Sequence, residues 1–240
     1  MKSPTSLICL AVLLLTIASP AQAEDTLWNL TFKDLKPGDT PKEVPYVAPC
    51  SGPQKVTTDA QNTLTGAKAL GTLTNPLVFT KGSNAHYTPA LTLKAGTAFS
   101  TGVITVNFDV DFDTISPAAD HPVSALMAVP FINDKGGSDY ILVIACNGPG
   151  NLVLSGAGLK KGKTPAEFKT GEVAHIKTVL DLTAHTFQAF LNGTPMADPE
   201  KDDAKFSTFL GFTVRDGTAL GGNNGETFSA GISNLVITHG

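Results

Sequence analysis

The chain has 240 residues, of which 42% are hydrophobic and 16% charged, and its formal net charge is −4. This composition is too apolar and too weakly charged for a disordered chain, and it allows one large domain with a sizeable core. Arg215 is the only arginine, whereas phosphate contacts need clustered lysine and arginine side chains. The composition therefore argues against nucleic acid and anionic membrane surfaces as partners.

The first 23 residues have the pattern of an export signal. Lys2 precedes an apolar run at residues 7–17, and residues 21–23 read Ala-Gln-Ala. A cationic start, a short apolar core and a small-residue end are typical of a secretory signal peptide, and a bilayer span would need about 20 apolar residues. The sequence predicts a signal peptide at residues 1–23, a single domain at residues 24–240, and a secreted protein, extracellular or periplasmic, without membrane contact after signal removal.

Two cysteines, Cys50 and Cys146, lie outside the predicted signal peptide. Oxidising compartments favour disulfides. A bridge that closes the long loop between these two cysteines contributes about 4–5 kcal/mol in chain-entropy models. An even number of cysteines suggests pairing, but the sequence alone does not show proximity. The sequence predicts a disulfide between the two, with a pair of buried free thiols as the alternative.

Short β-branched or Phe-rich runs, each ended by Gly, Pro, Asn or Asp, follow one another along nearly the whole chain. Such runs are typical of strands and turns, and helical periodicity is nearly absent. The predicted strands are residues 27–32, 69–72, 90–93, 102–112, 124–131, 140–146, 151–154, 173–180, 186–191, 206–213 and 227–237. The pairs Asn147-Gly148 and Asn192-Gly193 favour tight hairpins. This pattern predicts one all-β domain, an antiparallel two-sheet β-sandwich or jelly roll.

The two ends of the chain and one internal hairpin carry a further pattern. The runs at residues 27–32 and 231–237 could pair as adjacent strands, and Gly102-Val103-Ile104-Thr105-Val106 opens another predicted strand. Residues 175–181 and 187–195 form an apolar hairpin that runs into an Asn-Gly turn. Together these segments resemble the concanavalin A-like lectin/glucanase superfamily, and the hairpin is similar to laminin-G-like jelly rolls. The resemblance covers nearly the whole predicted domain and implies its fold rather than its function.

Asn107, Asp109, Asp111 and Asp113 alternate with Val and Phe in one predicted strand. Alternation places the four polar side chains on one face, with neighbours about 6.5–7 Å apart. Two carboxylates at this spacing could act as the acid and base of an inverting glycosidase, and a row of carboxylates could bind calcium. A solvated polar face on a half-buried strand produces the same alternation.

Aromatic rings bear on carbohydrate binding because their flat faces pack on sugar rings. The chain has one Trp and three Tyr. Trp28 falls in a predicted strand, where we expect it in the core, whereas Tyr87 falls in a loop and is the better surface contact. The predicted ligand-binding residues are Asn107, Asp109, Asp111, Asp113 and Tyr87.

Other catalytic and metal-binding motifs are incomplete. Glucanases of this superfamily carry Glu-x-Asp-x-x-Glu on a concave strand, whereas the acidic strand here has no Glu, so their catalytic residues cannot be carried over. The five histidines lack His-x-x-x-His spacing for zinc, although His175 and His185 could meet on paired strands. Gly156 to Thr164 resembles a phosphate-binding loop, but Ala157 stands where that motif needs its first glycine.

These observations predict an exported, non-catalytic β-sandwich module that recognises extracellular or envelope carbohydrate, with calcium as a cofactor it could use. One alternative is a polysaccharide-degrading enzyme, a glycoside hydrolase or a lyase, on the same fold. The other is a structural envelope protein. The sugar, its linkage, the catalytic residues and the oligomeric state stay open, because no motif in the sequence specifies them.

Overall fold

The computed structural model describes residues 24–39, 62–82, 90–116, 123–131, 142–146, 151–155, 166–202, 206–216 and 227–240. Within these ranges every regular element is a β-strand, and no helix is long and apolar enough to cross a membrane. The predicted signal peptide, Cys50 and Tyr87 lie outside the described residues. The export signal, the disulfide and the Tyr87 contact therefore stay predictions.

The described strands build two stacked sheets and one small hairpin. In chain order they are β1 (Asp25–Leu30), β2 (Thr63–Gly66), β3 (Ala69–Leu70), β4 (Leu73–Thr74), β5 (Leu77–Lys81), β6 (Leu91–Phe99), β7 (Val103–Ser116), β8 (Val123–Phe131), β9 (Leu142–Cys146), β10 (Asn151–Ser155), β11 (Ala166–Lys169), β12 (Ala174–Asp181), β13 (Thr186–Leu191), β14 (Thr194–Pro195), β15 (Glu200–Lys201), β16 (Phe209–Asp216) and β17 (Thr227–His239). The large sheet has the order β14-β13-β12-β7-β17-β5-β2, with β1 also beside β17 and β15 beside β13. The small sheet has the order β11-β10-β9-β8-β16-β6, and β3 pairs only with β4.

This architecture confirms the predicted antiparallel β-sandwich, and the pairing of the chain ends is also as predicted. In the β1–β17 pair, Trp28 lies opposite Ile237 and Leu30 opposite Leu235. The predicted single strand at residues 69–72 is wrong, because the chain reverses at Gly71 and continues as β4. Strands β2, β5 and β11 and the two-residue strands β14 and β15 have no counterpart among the predicted strands.

The core lies between the two sheets and is lined by the inner face of β7. The apolar residues of this strand alternate with its polar ones and are buried at Ile104, Val106, Phe108, Val110 and Phe112. The rings of Phe108 and Phe212, from opposite sheets, have centroids 6.4 Å apart. Each fully buried side chain of this size contributes roughly 1.5–3 kcal/mol. Burial of the apolar face therefore fixes the acidic residues of β7 on the outer face of the large sheet.

The predicted Asn192-Gly193 turn joins β13 to β14 and also braces the start of β12. Asn192 and Gly193 have φ values of 49° and 79°, as a two-residue hairpin requires. The side-chain Oδ1 of Asn192 accepts a hydrogen bond from the backbone N–H of His175 at 2.8 Å. The backbone N–H of Asn192 donates to the carbonyl of His175 at 2.9 Å. The turn thus anchors the backbone of the one histidine on β12.

Replacement of Asn192 separates the contribution of its backbone conformation to stability from that of its side-chain hydrogen bond. Asn192→Ala should lower the free energy of unfolding by roughly 1.5–3 kcal/mol, because it places an alanine at positive φ and removes a hydrogen-bond acceptor. Asn192→Gly keeps the backbone conformation and should cost only about 1 kcal/mol. Urea unfolding of both variants measures the difference, and equal losses would contradict a conformational role for Asn192.

Candidate functional site

An open cleft of about 370 Å³ lies on the outer face of the large sheet. One wall is the segment after β1, with Thr31 and Lys33, another is the β3–β4 hairpin, and the floor is formed by Asp109, His175 and Asn234. At this floor β17 carries a bulge. Two residues lie between Ser233 and Val236 on β17, whereas one residue lies between their partners on β7. Asn234 sits in this bulge with φ at 51° and is exposed. The bulge therefore brings a side chain of β17 toward the centre of the cleft.

Asp109 is the hub of a hydrogen-bonded group at the base of the cleft. Its Oδ1 accepts a hydrogen bond from Nδ1 of His175 at 2.5 Å, and its Oδ2 accepts one from Nδ2 of Asn234 at 2.7 Å. Asp109 and His175 lie directly opposite each other in the β7–β12 register. The side chain of Asp109 is 16% exposed and that of His175 is 68% exposed. A largely buried carboxylate thus holds an open imidazole through Nδ1, which leaves Nε2 as the ring nitrogen able to accept a proton.

Sequence reasoning considered His175 only as half of a two-histidine site and did not connect it with Asp109. The two-histidine site that the sequence left open is not formed, because His185 lies in the turn at the far end of the β12–β13 hairpin. There its Nδ1 contacts the carbonyl oxygen of Phe206 at 3.3 Å. The signal that marks His175 is its cross-strand neighbour Asp109, and that neighbour is defined only once the pairing of β7 with β12 is known.

The predicted acidic row lies on one face, but its members have different environments. Asp109 lines the cleft, Asp113 is exposed and Asn107 is half-buried. Asp111 is completely buried, and it lies beneath the β3–β4 hairpin, where a Cβ atom on Gly71 would collide with its Oδ2. Direct ligand contact by Asp111 is therefore excluded in this structure by the hairpin that covers it.

Burial raises the pKa of Asp111 above its ordinary value, and the nearby charge of Asp113 acts in the same direction. The backbone N–H groups of Thr72, Phe112 and Gly171 oppose this rise in pKa. Neither carboxylate oxygen of Asp111 has a hydrogen-bond partner of regular geometry, and the N–H of Gly171 donates to the carbonyl of Phe112. Burial therefore outweighs the N–H groups, and the pKa of Asp111 lies above its ordinary value.

The described residues do not bring together a metal site. Among them, no three His, Cys, Asp or Glu side chains are placed to hold one ion. Both oxygens of Asp109 are engaged by His175 and Asn234, and those of Asp111 are covered by the hairpin. The sequence left calcium binding by the acidic row open. In the described residues this row does not present the convergent oxygen ligands that such an ion needs.

Comparison with family models and with curated proteins gives no match. Among solved structures, the marine PL7 alginate lyase AlyA1 from Zobellia galactanivorans is similar, with a TM-score of 0.51 and 15% identity over 80% of this chain and 86% of its own. Alginate lyase A1-II', a member of polysaccharide lyase family-7, gives a TM-score of 0.49 and 13% identity over 76% of this chain and 85% of its own. The likeness to AlyA1 confirms the predicted jelly-roll β-sandwich, and at this identity it is a likeness of fold alone.

Substitution of Gly71 tests the packing of the hairpin on Asp111. Gly71→Ala should lower the free energy of unfolding by about 2–4 kcal/mol, because it adds a collision with Asp111 to the cost of a positive φ. Gly193→Ala is the matched control, since Gly193 also has a positive φ but a Cβ added there would have nothing within 4 Å. Chemical denaturation of both variants should show the larger loss at Gly71, and equal losses would contradict close packing against Asp111.

The raised pKa of Asp111 predicts a pH dependence of stability. In the pH range between its unfolded value, near 3.8, and its higher folded value, the native state binds more protons than the unfolded state. The contribution of Asp111 should therefore raise the free energy of unfolding as pH falls through the folded pKa, and it should lower the free energy of unfolding as pH rises. Asp111→Asn should remove this contribution. Urea unfolding from pH 7 to pH 4 measures the difference between parent and variant, and parallel profiles would contradict the raised pKa.

Proposed function

We propose that this protein is an exported polysaccharide lyase that cleaves an acidic polysaccharide by β-elimination in the cleft at Asp109 and His175. The observation that carries the proposal is an exposed imidazole fixed by a nearly buried carboxylate in an open cleft. This arrangement provides a positioned base for removing a proton next to a carbonyl group. It replaces the non-catalytic recognition module as the preferred function, since recognition alone does not require an oriented base.

β-Elimination of a uronic acid chain breaks two bonds and forms one double bond. A base takes the proton on C5, next to the sugar carboxylate, and the electron pair of that C–H bond forms the C4–C5 double bond. The C4–O4 bond then breaks, and the leaving oxygen takes a proton. In the proposed reaction Nε2 of His175 accepts the C5 proton and the resulting imidazolium returns it to the leaving oxygen, so that the proton count balances.

Each further side chain of the cleft has a role in this reaction. Asp109 orients the imidazole and stabilises it when it becomes charged, and Asn234 holds the second oxygen of Asp109 in place. The sugar carboxylate gains negative charge as its neighbouring proton leaves, so the site needs cations and hydrogen-bond donors. Lys33 and Asn75, which line the cleft, are the groups we assign to this carboxylate.

The carboxylates of this sheet suit a lyase better than a glycoside hydrolase. A hydrolase of the common type needs two free carboxyl groups on either side of the bond to be cleaved. Asp109 has both oxygens hydrogen-bonded and Asp111 is sealed below the hairpin. A lyase needs no second carboxylate. The alginate lyase AlyA1, with its similar fold, further supports alginate as the first substrate to test.

Turnover of alginate tests the proposed reaction. The parent protein should form products that absorb ultraviolet light through their new C4–C5 double bond, and neutral laminarin should give none. His175→Ala should lower kcat by about 10²–10⁴-fold because the base is lost. Asp109→Ala should lower kcat by about 10²-fold because the imidazole is no longer oriented.

Asp113→Ala removes an exposed carboxylate from the same face of the same strand, so it separates the cleft from the acidic row as a whole. Full activity of this variant beside loss of activity in Asp109→Ala supports the assignment to the cleft. Equal losses would point to the whole row instead. Carbohydrate binding without unsaturated products from alginate, pectate or other uronic acid polymers would contradict the lyase and restore the recognition module.

A further inference from the structure

A second row of side chains crosses the outer face of the large sheet beside Asp109 and His175. In this row Asn107 lies opposite Lys177 on β12, and Lys177 lies opposite Phe190 on β13. Asn107 and Lys177 are each two residues from the cleft pair on the same strands, so they share its face at a distance of about 6.5–7 Å along the strands. The open sheet therefore continues directly from the floor of the cleft.

Lys177 is a positioned cation on this open face. Its Nζ lies 5.6 Å from the centroid of the Phe190 ring, within the range of a cation–π contact. The side chain of Lys177 is exposed and that of Phe190 is half-buried. Among the described residues no carboxylate pairs with Lys177. An aromatic ring thus restrains an ammonium group whose charge is not neutralised by the described part of the protein.

We propose that Lys177, held over Phe190, and Asn107 form a second subsite that binds a carboxylate of the same acidic polysaccharide, next to the sugar at His175. The inference rests on the proposed function, because its occupant is the chain that runs through the cleft. An acidic polysaccharide carries its charges at regular intervals, so a chain in the cleft presents further carboxylates to the adjoining sheet. The ammonium of Lys177 supplies the opposite charge and the amide of Asn107 supplies a hydrogen-bond donor.

Recognition by one exposed cation has a distinct signature. It favours charged over neutral sugars, it acts only on chains long enough to reach beyond the cleft, and it weakens as salt screens the charge. A purely structural role of Lys177 in the sheet would give none of these three effects. Chain length and ionic strength therefore separate the subsite from a packing role.

Binding is measured by calorimetry in a His175→Ala background, which prevents cleavage, with an alginate disaccharide and an alginate hexasaccharide. At low salt, Lys177→Gln should weaken hexasaccharide binding roughly two- to fivefold and reduce the gain in affinity from disaccharide to hexasaccharide. The loss should shrink at high salt. Lys177→Arg should retain affinity, and Phe190→Leu should reproduce part of the loss. Lys94→Gln, at an exposed lysine of the small sheet, is the matched control.

Equal hexasaccharide affinity in the Lys177→Gln and Lys94→Gln variants would overturn the subsite. Alginate turnover by the parent together with this result would leave the lyase supported and the subsite rejected. Binding that depends on Lys177, without turnover by the parent, would reject the lyase and support the subsite. Absence of hexasaccharide binding in every variant would overturn both for alginate.

Discussion

The pairing of β7 between β12 and β17 is the constraint on which both the core and the cleft depend. From Ile104 to Phe112 every second residue of β7 is apolar and buried, so a shift of one residue would expose Phe108 and bury Asp109. The register that buries Phe108 is also the register that sets Asp109 opposite His175. The energy that holds the proposed base in place thus comes from apolar burial on the opposite face of the same strand. The hydrogen bonds at Asp109 on the outer face therefore need not contribute a large free energy to the stability of the sheet.

The three aspartates on one face of β7 differ in burial and hydrogen bonding, because other elements pack over some of them and not over others. Asp109 accepts two hydrogen bonds on the floor of the cleft, Asp111 is sealed and Asp113 faces solvent. Sequence alternation is identical for all three, so it does not distinguish them. The difference arises from the β3–β4 hairpin, which covers Asp111 and ends before it reaches Asp109. A carboxylate sealed away from water favours its protonated form, whereas one bonded to two donors is an effective orienting group.

The local period of the sequence is enough to predict the sandwich, the terminal strand pair and the polar face of β7. These features follow from alternation over many residues, which a single sequence displays directly. The β3–β4 hairpin could not be predicted as such, because strands of two residues have no period. The contact between Asp109 and His175 joins residues distant in sequence, and no spacing rule connects them. Asn234 lies in the site because of a bulge, and the alternation of residues along β17 does not predict that bulge.

The position of the proposed base follows from the uneven covering of the large sheet. On the β17 side the hairpin packs so closely that a Cβ on Gly231 would lie 2.8 Å from Leu70 and 3.2 Å from Leu73. On the β12 side His175 and Lys177 are exposed. Asp109 lies at the boundary, where partial burial strengthens its hydrogen bonds while its partner His175 stays open to a substrate. Among the described strands, β12 and β13 therefore form the open part of the sheet. In the proposed reaction the polysaccharide reaches the cleft across these strands, where Lys177 lies.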